Sequence, residues 1–302
     1  INIGELSKPA TVLIEKISDA IGGIFKPTQI RRVARAHADA AVILAESEQI
    51  VSEIQRRAVD RLLHEETLKQ GNIERISANA IGGLSAEARP QDLDNDWLSH
   101  FFDRCRLVSD RQMQELWGRL LAEQANTPGR FSKRTVDLLH TMDASDAKSF
   151  EQLCRFRWLI GKDEIVPLVV DIEPDEQPSK IYKDAGVTFE TLTHLDSIGL
   201  VTFGNIASFT LGFPSGHITT FHWADKTLVA LELDPTQAEP NTCVLDLGRA
   251  LFTRSGKEIA SLVESEPVEG FGDYIVAHFQ RAGFKAMVRK AVVVASGEPG
   301  SV

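Results

Sequence analysis

The sequence predicts an α+β protein in which a long-helix region and a small helical bundle precede a domain that mixes helices with strands. Three observations carry that prediction. From Thr28 to Leu84 the chain has almost no helix breaker apart from Gly71 and is dominated by Ala, Arg, Glu, Gln and Leu, all good helix formers. Between Ser109 and Trp158 large apolar residues recur at helical spacing, with polar caps and breakers between the repeats. Beyond Trp158 the texture changes to β-branched and aromatic runs separated by Gly, Pro, Asn and Asp. The expected divisions are 1–90 for long amphipathic, coiled-coil-like helices, 91–162 for the bundle, 163–295 for the α+β domain and 296–302 for a flexible tail.

In order, Val12, Leu13, Ile17, Ile21 and Ile24 predict an amphipathic first helix that packs on its own protein, because its polar face mixes both signs of charge. The next stretch carries a heptad seam. Ile30, Val33, His37, Ala40, Leu44, Ser47, Val51, Ile54, Ala58 and Arg61 follow alternating steps of three and four. Its small and polar members bury little area, so it suits either an antiparallel hairpin within one chain or a contact between copies. Self-association through residues 28–70 is expected, with Ile30, Val33, Leu44, Val51 and Ile54 as the contact positions. Arg31, Arg32 and Arg35 form a basic cluster at its start, a solvated face or an anion contact.

Residues 85–96 read as a linker in which Asp92, Asp94 and Asp96 faintly imitate a calcium loop. The position needing Gly holds Trp97, so Asp94 or Asp96 is expected to cap the helix carrying Trp97, Phe101, Phe102 and Cys105 instead. Met113, Leu116, Trp117, Leu120 and Leu121 then make one apolar stripe, started by Ser109 with Gln112 in a capping box and stopped by Asn126, Thr127, Pro128 and Gly129. A second helix runs through Val136, Leu138, Leu139 and Met142. Asp143 caps a third, with Phe150, Leu153, Cys154 and Trp158 on one face, and the three helices are expected to share one core.

The segments EIVPLVVDI, LVTFG, SFTLGF, HITTFHWA, KTLVALEL and TCVLDL are expected strands. A helix with Phe189, Leu192, Leu195 and Ile198, closed by Gly199, precedes most of them, and LFTRSGKEIASLV follows with Thr253 as a cap. That order resembles a winged-helix module. The last unit is a helix over 271–283 and a strand over 284–294.

The run LWGRLLAEQANTPGRFSKRTVDLLHTMDASDAKSFEQL resembles a bacterial family known as domain of unknown function 2806. The similarity extends to FKPTQIRRVARAHADA upstream and to DAGVTFETLTHLDSIGLV and LFTRSGKEI downstream, and it implies no activity. A looser resemblance to abortive-infection proteins of the alpha type implies a setting in phage defence and a protein partner there.

Among 302 residues, 43% are hydrophobic and 25% charged, which permits real cores. No apolar run reaches the roughly 18–20 residues a membrane helix needs, and a cytosolic chain is expected, processed or trimmed at its start. Cys105, Cys154 and Cys243 suit buried free thiols. The net charge of −10 falls mainly in the second half, a surface that repels phosphate backbones.

Chemical motifs are missing where they were sought. Gly256 and Lys257 lack the spacing of a phosphate loop, and GFPSG over 212–216 reads as a hairpin turn rather than a nucleophile elbow. His217 and His222 lie an odd number apart in one strand and point to opposite faces. No cofactor or metal is therefore expected. The helix from Thr188 to Ile198 has no Lys or Arg but has Glu190 and Asp196, so DNA or RNA binding is not favoured. Arg31, Arg32, Arg35, Arg130, Lys133 and Arg134 are the better candidates for any anion or nucleic-acid contact. The expectation is a non-enzymatic interaction protein. Its rivals are a nucleic-acid-binding regulator and an enzyme whose residues are scattered in sequence.

Overall fold

The computed structural model describes residues 6–21, 53–160, 164–170, 180–204, 207–214, 219–223, 227–233 and 242–290. They form an α+β protein of two compact units, Ile1–Thr141 and Met142–Val302.

The first unit is helical: α1 (Lys8–Ile21), α2 (Glu53–Gly82), α3 (Asn95–Cys105), α4 (Arg111–Asn126) and α5 (Lys133–Thr141). In α1 the inward face is Ala10, Leu13, Ile14 and Ile17, at the spacing a helix needs to bury one stripe. It packs on α3, whose Trp97, Phe101, Phe102 and Cys105 are all buried. Asp94 starts α3 by accepting from the amides of Asp96 and Trp97, so Asp94, and not Asp96, is the cap. The cap of α4 is Asp110, which accepts from the Met113 amide at 2.9 Å, in place of the expected Ser109. Asp110 starts the helix one residue later than Ser109 would, satisfies the amide of the third residue after itself, and adds a charge that favours a helix N-terminus.

The contact of α2 with α4 centres on a missing side chain. A Cβ at Gly118 would lie 2.5 Å from Asn79 Cβ and 3.2 Å from the Ala80 amide nitrogen, so only glycine lets these backbones approach. Buried polar groups fix the register beside it. Gln114 donates to Asn72 Oδ1 (3.1 Å) and to the Val108 carbonyl (2.8 Å), while Asn72 donates to the Arg106 carbonyl (2.9 Å).

The second unit holds α6 (Ala144–Cys154), β1 (Arg157–Ile160), β2 (Glu164–Pro167), α7 (Lys180–Asp184), α8 (Phe189–Ser197), β3 (Val201–Phe203), β4 (Phe209–Pro214), β5 (Thr219–Trp223), β6 (Thr227–Leu233), β7 (Thr242–Gly248), β8 (Ala250–Phe252), α9 (Arg254–Ala260), α10 (Phe271–Arg281) and β9 (Phe284–Lys290). One antiparallel sheet has the order β2-β1-β5-β6-β9, and the pairs β3–β8 and β4–β7 stand as two further antiparallel ladders.

Three expectations change here. Trp158 is not the end of a third bundle helix but a buried member of β1, because α6 stops at Cys154. The helix α6 packs on α8 and sets Phe150 edge-on to Phe252 at 5.5 Å, so it belongs with the second unit and the bundle ends at Thr141. The GFPSG stretch does not join paired strands, since β4 pairs with β7 whereas β5 pairs with β1 and β6. Residues 215–218 lie outside the described part.

The core of the second unit is aromatic: Phe156, Trp158, Tyr182, Phe221, Phe271 and Phe279 are all fully buried. Tyr182 satisfies its hydroxyl there by donating to the Leu168 carbonyl (3.0 Å) and accepting from the Val170 amide (3.2 Å). Gly256, a position that faintly suggested a phosphate loop, has a packing reason. A Cβ there would lie 1.9 Å from the Leu200 carbonyl oxygen, and Thr253 caps α9 beside it.

Candidate functional site

The most distinctive surface lies on α2. Its second half buries Asn72, Ile73, Ile76, Ser77 and Ala80 within the bundle. Ile54, Ala58 and Leu62 continue the same side of the helix toward its start, each step being four residues. Yet Ile54 is 71% exposed and Leu62 56%; Leu68 on one flank is 56% exposed, and Leu63, 39% exposed, lies toward the opposite face. An isolated helix of that length is marginal in water, since most helical stability comes from packing an apolar face. Local ion pairs give modest support: Arg56 lies 3.2 Å from Glu53, Arg61 3.7 Å from Glu65 and Lys69 2.7 Å from Glu66.

Of the residues expected to associate, Ile54 is thus placed on an open face. Ile30, Val33, Leu44 and Val51 lie outside the described residues, as do Arg31, Arg32 and Arg35. Arg130 pairs with Glu123 of α4 and stands over the Phe131 ring at 5.4 Å, so its charge is partly committed to the end of α4. Lys133 and Arg134 are exposed at the first turn of α5. The three share one loop-to-helix junction, although the Phe131 amide there donates to Gln124 and the Thr135 amide to Ser132.

A second feature is a cleft of about 680 Å³ in the second unit, floored by Trp158, Leu159 and Ile165 and edged by His222 and Glu264. Two of its polar groups, Arg157 and Ser261, serve the fold. Arg157 donates to the carbonyls of Ala260 and Val263 and so secures the end of α9, and Ser261 donates to the Glu258 carbonyl at 2.7 Å. His222 is exposed on β5 opposite Leu159 and Leu228, while its neighbour Phe221 is buried, as strand alternation requires. Among the described residues no three His, Cys, Asp or Glu side chains converge as metal ligands.

The third feature is an aspartate–histidine pair. His194 Nε2 on α8 lies 2.6 Å from Asp146 Oδ1 on α6, and the other oxygen of Asp146 accepts from the Asp143 amide in a capping box. The nearby Ser145 hydroxyl donates to Asp143 Oδ1 at 2.8 Å, so it is directed to the cap instead of to the imidazole. This arrangement latches two helices together. Asp143 itself is held below the usual carboxylate range, first by the Asp146 amide and then by the Ser145 hydroxyl.

Burial pushes the Cys154 thiol up to about 12 and raises Cys105 further, which keeps both protonated and unreactive at neutral pH. The side chain of Cys243 lies outside the described part.

Sequence reasoning missed the cleft and the Asp146–His194 pair. Neither has a local signal, because their residues are brought together by sheet pairing and by α6 packing on α8. Among the described residues no helix is long and apolar enough to cross a membrane. Searches of curated proteins and of solved structures each found no match. A family of proteins of unknown function, DUF2806, matches residues 56–276, from within α2 to within α10, and the chain belongs to that family.

Proposed function

We propose that the chain is a non-enzymatic interaction protein that self-associates through its N-terminal helical segment, residues 28–70. The observation that supports this reading is the uncovered apolar side of α2. Ile54, Leu62 and Leu68 stand exposed on or beside that face, on a helix whose second half is packed. Burying such side chains contributes about 1.5–3 kcal/mol each, enough for several together to drive pairing of modest affinity. Light scattering at tens of micromolar tests it. Wild type should be larger than a monomer, and Leu62→Asp should shift it toward monomer by placing a charge where an apolar contact forms. A monomeric wild type, or a variant that associates as strongly, removes the reading.

The second unit is proposed as a winged-helix-like module used for protein contact. A short helix α7, a turn through Gly186 and the helix α8 precede the β3–β8 ladder, which supports the likeness. The same geometry favours the rival reading as a nucleic-acid-binding regulator. Against it, α8 offers Glu190 and Asp196 and no Lys or Arg, and Asp196 accepts from the Phe203 amide at 3.1 Å. Gel shift with mixed DNA and RNA over a salt series separates the two. A salt-sensitive shift lost in Lys133→Ala/Arg134→Ala would favour the regulator. A setting in phage defence is carried only by the resemblance to abortive-infection proteins.

A further inference from the structure

We infer that the uncovered half of α2 pairs with the same segment of a second copy, antiparallel, across a two-fold axis near Arg61. This rests on the self-association reading and specifies its geometry. Extending the heptad seam into the described helix places Ile54, Ala58, Arg61, Glu65 and Leu68 on one side. All five belong to the half of the helix that precedes its buried residues.

Two orientations are open to such a seam, and charge separates them. A parallel pair stacks Glu65 on Glu65 and sets Arg61 against Arg61, with every position facing its own copy. An antiparallel pair centred on Arg61 instead sets Ile54 against Leu68 at both ends, so the large exposed apolar groups cover each other. In between, the small Ala58 falls at the level of His64, one residue from Glu65, and leaves room for the Glu65 carboxylate. The partner's Arg57 flanks that carboxylate, and Arg61 of its own helix lies 3.7 Å away. Leu62 falls beside its own equivalent at the edge of the same seam. The only like-charge contact is Arg61 across the axis, and each of these guanidiniums already has a carboxylate partner in its own chain.

An isologous contact of this kind closes on itself and stops at a dimer. The face left open is short, so the dimer should dissociate on dilution instead of being permanent.

Mixed cysteine cross-linking of the full chain tests the geometry. Ile54→Cys and Leu68→Cys are made separately, mixed under mild oxidation, and resolved without reductant, with wild type treated alike to account for its own Cys105, Cys154 and Cys243. Light scattering is run on the wild type in parallel. The antiparallel pair predicts a disulfide between the two different variants and little linkage of either variant with itself. If the wild type is a dimer and each variant links only to itself, or no linkage forms, the antiparallel geometry is overturned while self-association stands. A wild-type monomer overturns both.

Discussion

Trp117 shows how much of the first unit rests on one side chain. It is fully buried and meets Phe101 edge-on at 5.1 Å between ring centres. Trp117→Ala is expected to cost about 3–5 kcal/mol, the range for emptying a large aromatic site, and chemical denaturation reads it directly. A loss below about 1 kcal/mol would contradict its central place. Gly118 beside it is the opposite case, a site where adding one carbon does harm. A Cβ is fixed by the backbone, so the 2.5 Å approach to Asn79 Cβ cannot be relieved by turning a side chain. Overpacking of this kind costs about 1–3 kcal/mol, which outweighs the roughly 1 kcal/mol that alanine gains over glycine in a helix. Gly118→Ala should therefore lower the midpoint of unfolding; an unchanged or raised midpoint would show that α2 and α4 can separate at no cost. The apolar stripe around Trp117 could be read from spacing alone. The need for Gly118 could not, because its cause is a backbone on another helix.

Helix starts were the most legible elements, because a cap and the amides it satisfies lie within four residues of sequence. Asp143 and Thr253 act as caps where the sequence placed them, Asp94 is the one of the two aspartates it offered that does so, and Thr188 caps α8 in the same way. The one displaced cap is informative. Asp110→Ala should cost about 1 kcal/mol and Ser109→Ala almost nothing, whereas the reverse order would restore Ser109 as the cap. Asp143 adds a pH dependence. Its folded pKa lies below its unfolded value, so its contribution is complete above the unfolded carboxylate range and is lost as pH falls through the folded pKa. Asp143→Asn keeps an acceptor without the charge. Denaturation midpoints of wild type and Asp143→Asn should differ at neutral pH and converge in acid; a constant difference would remove the charge from the explanation. Strand pairing was less legible for a physical reason. Period-two patterns locate β4 and β5 as strands but do not carry partner identity, which comes from which faces of the whole sheet are covered.

At the scale of the molecule, the change from helix to strand near Arg157 and the division into compact units at Thr141 are different events. Local periodicity reports the first. The second depends on α6 packing on α8, on Phe150 lying against Phe252 of β8 and on the Asp146–His194 latch, contacts that join residues far apart in sequence. The same distinction governs the candidate site. Heptad spacing foretold an apolar seam, whereas only the fold shows that one half of α2 is packed and the other open. Amide hydrogen exchange over residues 53–68, measured across a dilution series, tests that claim most directly. If a second copy covers the open half, protection there is high in concentrated solution and falls on dilution, while residues 72–80 stay protected throughout. Protection of residues 53–68 that is the same at every concentration would contradict the account.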